Sequence, residues 1–124
     1  MREIEFRVWL GDRMDIVDTL YIKELGVNTR GINGAPCYRN YTKSILMQYT
    51  GLKDKNGVEI FEGDIVKFNG ELYKVIWDND ECRFILANIV ENNFLLLTSW
   101  RMKRLEVKGN VYENKELLGD NNDL

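Results

Sequence analysis

LMQYTGLKDKNGVEIFEGDIVKFNGELYKVIWD, residues 46–78, decides the fold. Lys53-Asp54-Lys55-Asn56-Gly57 reads as a turn, because Asn56 and Gly57 are residue types that tolerate positive φ and let the backbone reverse without a Cβ clash. A second reversal follows at Glu62-Gly63-Asp64. Ile65 to Phe68 and Glu71 to Trp77 then flank Asn69-Gly70. Asn-Gly between two apolar runs is the strongest short-range hairpin signal, since a type I′ turn needs positive φ at both central positions. With these residues as the loop, Phe68 faces Glu71, Val66 faces Tyr73 and Asp64 faces Val75. Val66, Phe68, Tyr73, Val75 and Trp77 then share a core face. The opposite face mixes Ile65, Leu72 and Ile76 with Lys67 and Lys74. It is too apolar for free solvent, so cover from the N-terminal strands or a second chain is expected.

Upstream, Ile4, Phe6 and Val8 alternate with Glu3, Glu5 and Arg7, which predicts a strand near a sheet edge with its charges outward. Trp9 falls on the charged face and needs cover. After the turn Gly11-Asp12-Arg13, the residues Met14, Ile16, Leu20 and Ile22 alternate as a second strand flawed at Asp18, with a helix over 14–25 as the weaker option. Gly26 to Asn40 reads as loop, punctuated by Gly26, Gly31, Gly34 and Pro36. Ile45 to Tyr49 is a short apolar segment leading into Thr50-Gly51. Downstream, Asp78-Asn79-Asp80 is a turn, Arg83 to Ile89 a strand, and Glu91-Asn92-Asn93 a turn. Phe94 to Leu97 fits a buried strand or the first turn of a helix equally well. Leu105 to Lys108 alternates and continues past Gly109 to Val111 and Tyr112 as a closing strand. Asn114 is placed to cap a helical turn, Lys115 to Leu118, ended by Gly119; an acidic tail, Asp120 to Leu124, follows. Five short strands at this spacing predict a mainly β fold, a small SH3-like barrel. The expected division is an N-terminal β extension and linker over 1–58, the barrel over 59–113, and the helical turn and tail over 114–124.

Composition bounds the function. A chain of 124 residues, 44% hydrophobic and 30% charged, is an ordinary globular composition. Its apolar runs fall far short of the roughly 18 residues that span a bilayer, so no membrane role is expected. The charged, alternating start lacks the apolar centre of a secretory signal, which points to the cytosol. Cys37 and Cys82 stand far apart, outside any zinc or redox spacing, and read as reduced thiols, at least one of them buried. Net charge is −3, with five acids against two lysines over 106–124, so residues 1–105 are formally neutral and offer nucleic acid no global attraction.

Four stretches together carry a family likeness: Arg2-Glu3-Ile4-Glu5-Phe6-Arg7-Val8-Trp9, LMQYTGLKDKNGVEIFEGDIV at 46–66, Val75-Ile76-Trp77-Asp78, and Glu106 to Asn114. In these the chain resembles the YopX family of phage and prophage proteins. The resemblance implies an SH3-like barrel behind an N-terminal extension, self-association, and a place in the cytoplasm of a bacterial host. It carries over no catalytic residues. Its motif positions in this sequence are Trp9, Tyr49, Gly51, Leu52, Asp54, Gly57, Glu62, Gly63, Asp64, Trp77 and Gly109, read as structural. The chain departs from the family pattern at Lys115, where a proline typically follows Glu-Asn, and in residues 23–43.

The chemistry is sparse. With no histidine, the commonest general base, the triads that depend on it and most catalytic zinc sites are ruled out. No phosphate-cradling Gly-rich loop precedes a Lys-Ser/Thr pair. Asp54-x-Asn56-Gly57 looks like a calcium loop, but its first and last ligand positions would be Leu52 and Gly63, which lack carboxylates. Glu59, Glu62 and Asp64 fall close together, a composition that fits a metal nuclease or hydrolase, or simply turn chemistry. No cofactor or metal is expected. Trp100, Arg101, Lys103 and Arg104 set three cations beside an aromatic, the composition of a nucleic-acid surface or of a solvated face neutralised by the acids from Glu106 onward. Tyr38, Arg39, Tyr41 and Lys43 form a fainter set of the same kind. The sequence therefore favours a non-enzymatic accessory domain that binds protein, its own copies and another phage or host protein. A nucleic-acid module using 99–104 is the alternative, and an enzyme using Asp64 the third reading.

Overall fold

A computed structural model describes residues 3–21, 26–29, 37–40 and 45–119. Two compact units divide the chain, residues 1–49 and 50–124, and both are built of antiparallel strands. The fold is mainly β.

In the first unit, β1 (Phe6–Trp9), β2 (Met14–Tyr21), β3 (Gly26–Thr29), β4 (Cys37–Asn40) and the start of β5 (Ile45–Lys53) lie in the order β4-β3-β2-β1-β5. The placement of β1 near an edge is corrected: Val8 stands opposite Asp15 on one side and Leu46 on the other. A central strand uses both faces, so Arg7 is buried along with Val8. Trp9 is half-buried, between Met14 and Ile45. Asp18, the flaw in the second strand, is where the β2 ladder shifts register, Val17 facing Thr29 and Thr19 facing Asn28.

The loop expected over 26–40 is also corrected, since β3 and β4 pair there. Four-residue strands are too short to display a period. Gly26 lacks a side chain for a specific reason: a Cβ would overlap the Tyr38 ring that lies across it. Neither cysteine is buried; both are free, Cys37 half-buried and Cys82 exposed.

The second unit holds the end of β5, β6 (Glu59–Phe61), β7 (Asp64–Phe68), β8 (Glu71–Asp78), β9 (Arg83–Asn88), β10 (Phe94–Leu96), the helical turn α1 (Ser99–Met102), β11 (Glu106–Asn110) and a 3-10 turn over Lys115–Leu118. Thr50 Oγ1 donates to Ile60 O at 2.7 Å, tying β5 to β6. The main sheet runs β10-β9-β8-β7-β11. No ladder among the described residues joins β10 to β11, so the SH3-like barrel suggested by the sequence is not a closed ring.

Asn69 and Gly70 have φ of 51° and 80°, the type I′ requirement, and Phe68 faces Glu71 while Val66 faces Tyr73. The regular ladder ends where Ile65 faces Lys74, and beyond it Gly63 N–H donates to Val75 O at 2.8 Å. Val66, Phe68, Tyr73 and Val75 join Ile60, Leu86 and Leu105 in the core. Trp77 does not: it is 40% exposed, edge-on to Phe84 at 4.9 Å between centroids.

Cover for the outer hairpin face comes from this unit's own C-terminus. Ile65 is fully buried against Val111 and Leu118, with Leu72, Tyr112 and Leu117 packed around them. Val111 and Tyr112 belong to a turn rather than to the closing strand, which ends at Asn110. Asn114 does not cap the 3-10 turn with its side chain; its Oδ1 accepts from Asn110 N at 3.1 Å.

Candidate functional site

The site is built where β10 meets α1. Asn88 sets the preceding turn, its Oδ1 accepting from Val90 N and Glu91 N, both at 2.9 Å, and its N–H donating to Asn93 O at 3.0 Å. That last bond sets the phase of the ladder. Antiparallel pairs alternate between bonded and non-bonded, so Leu95 exchanges bonds with Leu86 while the amides and carbonyls of Phe94 and Leu96 point away from β9. Since β10 is the last strand of its sheet, these groups face an open edge. Phe94 and Leu96 are 52% and 39% exposed. Edge strands of this kind accept further strands unless they are blocked. The opposite edge is blocked: Asp54 Oδ2 accepts from Val107 N at 2.9 Å, and Lys55 N donates to Leu105 O at 3.1 Å.

Thr98, in extended conformation, caps α1 by accepting from Arg101 N at 3.3 Å. The turn then projects Trp100 and Arg101 toward the end of β7. The Trp100 indole is 55% exposed and meets the buried Phe68 ring edge-on at 6.0 Å. Arg104 lies over the indole at 4.3 Å and donates to Trp100 O at 2.9 Å. Arg101 lies 6.0 Å from the Phe68 ring and donates through Nη1 to Leu96 O at 2.9 Å, which joins the turn to the strand edge. Lys103 is exposed. Of the acids from Glu106 onward expected to neutralise this set, Asp120 and Asp123 lie outside the described residues, and Glu106 does not do so, because its carboxylate pairs with Lys108 at 3.1 Å and Lys55 at 3.6 Å. The Lys108 hydrogen bond, ahead of the opposing effect of burial, holds it below the usual glutamate range. No carboxylate among the described residues pairs with Arg101, Lys103 or Arg104.

The motif positions lie elsewhere. Asp54 is buried and takes three backbone amides: Asn56 N and Val58 N on Oδ1, at 2.8 and 2.9 Å, and Val107 N on Oδ2. Gly51, Gly57 and Gly63 have φ of 87°, 81° and 89°. Asp64 is buried with Oδ2 accepting from Phe61 N at 2.8 Å, Glu62 is half-buried in the same turn, and Leu52 is half-buried in β5. Tyr49 is buried in the first unit. Gly109 sits at the register shift of β11, where a Cβ would overlap the Asn114 side chain. Tyr38 is exposed and edge-on to Tyr21 at 5.8 Å, whereas Tyr41 and Lys43 lie outside the described residues.

Residues 5–119 match the family described as YopX protein. The chain belongs to the YopX family. A crystal structure of protein EF1440 from Enterococcus faecalis is similar to this YopX chain at 26% identity and a TM-score of 0.65, covering 95% of this chain and 99% of that one. No curated protein matches it. Among the described residues no helix is long and apolar enough to cross a membrane. Phe94 and Leu96 are absent from the residues that the sequence singled out in this YopX chain. Their one signal is the pair of apolar residues flanking Leu95, and it does not say that the strand is an edge.

Proposed function

We propose that this YopX chain is a non-enzymatic accessory domain of phage type, working in the bacterial cytoplasm by adding a strand from a protein partner, its own copies included, to the open edge of β10. The observation that carries this reading is the pair of outward-facing backbone groups at Phe94 and Leu96, flanked by exposed apolar side chains. The edge is self-complementary. In a two-fold pairing centred on Leu95, Phe94 of one copy faces Leu96 of the partner subunit, and amides meet carbonyls reciprocally, the Leu96 carbonyl using its second lone pair beside the Arg101 bond. The lack of histidine supports a binding role over catalysis. A three-residue strand buries little, so association belongs with the weak, small interfaces.

Sedimentation velocity tests the reading. The wild-type protein is expected to shift from monomer toward dimer as its concentration rises, and the double variant Phe94→Lys/Leu96→Lys to remain monomeric with unchanged circular dichroism, because both side chains already face solvent. A wild-type protein that is monomeric throughout the micromolar range, or a lysine variant that still dimerises, overturns it.

A further inference from the structure

We infer that the α1 turn, tied by Arg101 to the edge of β10, is also a site for single-stranded nucleic acid, in which Trp100 stacks on an unpaired base and Arg101, Lys103 and Arg104 meet the adjacent phosphates. Three observations carry this. First, no acid among the described residues compensates the cations: within a chain of net charge −3, the nearest acid in sequence, Glu106, is held by Lys55 and Lys108. Unpaired positive charge gathered on one turn raises the local potential for an anion whatever the global balance. Second, the aromatic is presented rather than packed. Phe68 supports the indole edge-on from the core and leaves Trp100 more than half exposed, which is how base-stacking platforms are built. Third, the turn is held from beneath. The Thr98 cap and the bond from Arg101 to Leu96 O fix it to the sheet.

The choice of single strands over duplex follows from the indole. A stacked base must be free of its own helix, and every unpaired base has a face to offer. Arg104, lying over one side of Trp100, can stay as a cationic floor or swing to a phosphate at the loss of one exposed cation–π contact and its hydrogen bond to Trp100 O.

Fluorescence anisotropy of labelled oligothymidylate with the full chain tests the inference, with a duplex of matching length and polyglutamate as competitors. Engagement of three phosphates predicts log affinity falling against log salt with a slope of about −2. Trp100→Ala should weaken binding about tenfold or more, consistent with the usual worth of one base–aromatic stack. Lys103→Glu changes a solvent-facing residue with no partner among the described residues, and should weaken binding several-fold and flatten the slope. No binding at low salt overturns the inference. So does duplex binding as tight as single-strand binding with Trp100→Ala without effect, and so does polyglutamate displacing the oligonucleotide at lower charge concentration.

Discussion

Asp54 and Val107 are 53 residues apart and joined by a 2.9 Å hydrogen bond from the Val107 amide to the Asp54 carboxylate. The other oxygen of the same carboxylate holds the Asn56 and Val58 amides, so one buried side chain both shapes the turn before β6 and occupies an edge of the main sheet. The two edges of that sheet therefore differ. At β11 a buried carboxylate stands in for a strand; at β10 only the Leu96 carbonyl has a side-chain partner, Arg101, and the amides of Phe94 and Leu96 point outward.

Asp54→Ala leaves three amides without their acceptor, one of them at the sheet edge. Each net hydrogen bond is worth about 1 kcal/mol, and a buried amide left unsatisfied costs about 1–3 kcal/mol, so the variant should lose about 2–4 kcal/mol in urea unfolding. A loss below about 0.5 kcal/mol, the level of an ordinary surface change, would show that the carboxylate does not hold the edge.

Gly109 and Asn114 form a close pair in which a methyl group on the first collides with the amide of the second. Gly109→Ala should destabilise by about 1–3 kcal/mol through overpacking. In a double-mutant cycle, Asn114→Gly should recover part of that loss, because the two changes share one space. Strictly additive changes would contradict the pairing.

Tyr73 supplies a pH dependence. The residue is buried and its hydroxyl donates to Glu71 Oε2 at 2.8 Å; burial first, and then this bond, push the phenol above the ordinary tyrosine value of about 10. The unfolded chain therefore releases this proton at lower pH than the folded one does. The contribution is whole below about pH 10 and is lost as pH rises through the folded value. Tyr73→Phe should be about 1 kcal/mol less stable at neutral pH yet lose stability more gently above pH 10. An unchanged alkaline slope would contradict the assignment.

What the chain wrote locally was readable from residues 46–78. Asn69-Gly70 states its own φ requirement, so the turn and the facing of Phe68 with Glu71 follow without tertiary information. Asp18 is likewise visible as an interruption, and it falls where the ladder shifts. What lay beyond reach depends on neighbours distant in sequence. Ile65 and Leu72 are apolar on a face that looks half-polar, because Val111, Leu117 and Leu118 from the far end cover them. Trp77 carries the parity of the core, but stands near the end of β8, where the sheet gives it only Phe84. The cations at 101–104 announced themselves by composition, whereas their freedom from Glu106 depends on where Lys55 lies. An open edge is a property of strand order, and no residue of Phe94-Leu95-Leu96 encodes it.

Amide hydrogen exchange at Phe94, Leu95 and Leu96, followed against protein concentration, tests the central claim most directly. Leu95, bonded within the sheet, should be protected at every concentration, while Phe94 and Leu96 exchange freely when dilute and gain protection as copies pair. If Phe94 and Leu96 exchange at the same unprotected rate in dilute and concentrated protein, or are already protected when dilute, the edge of β10 is not where this protein binds its own kind.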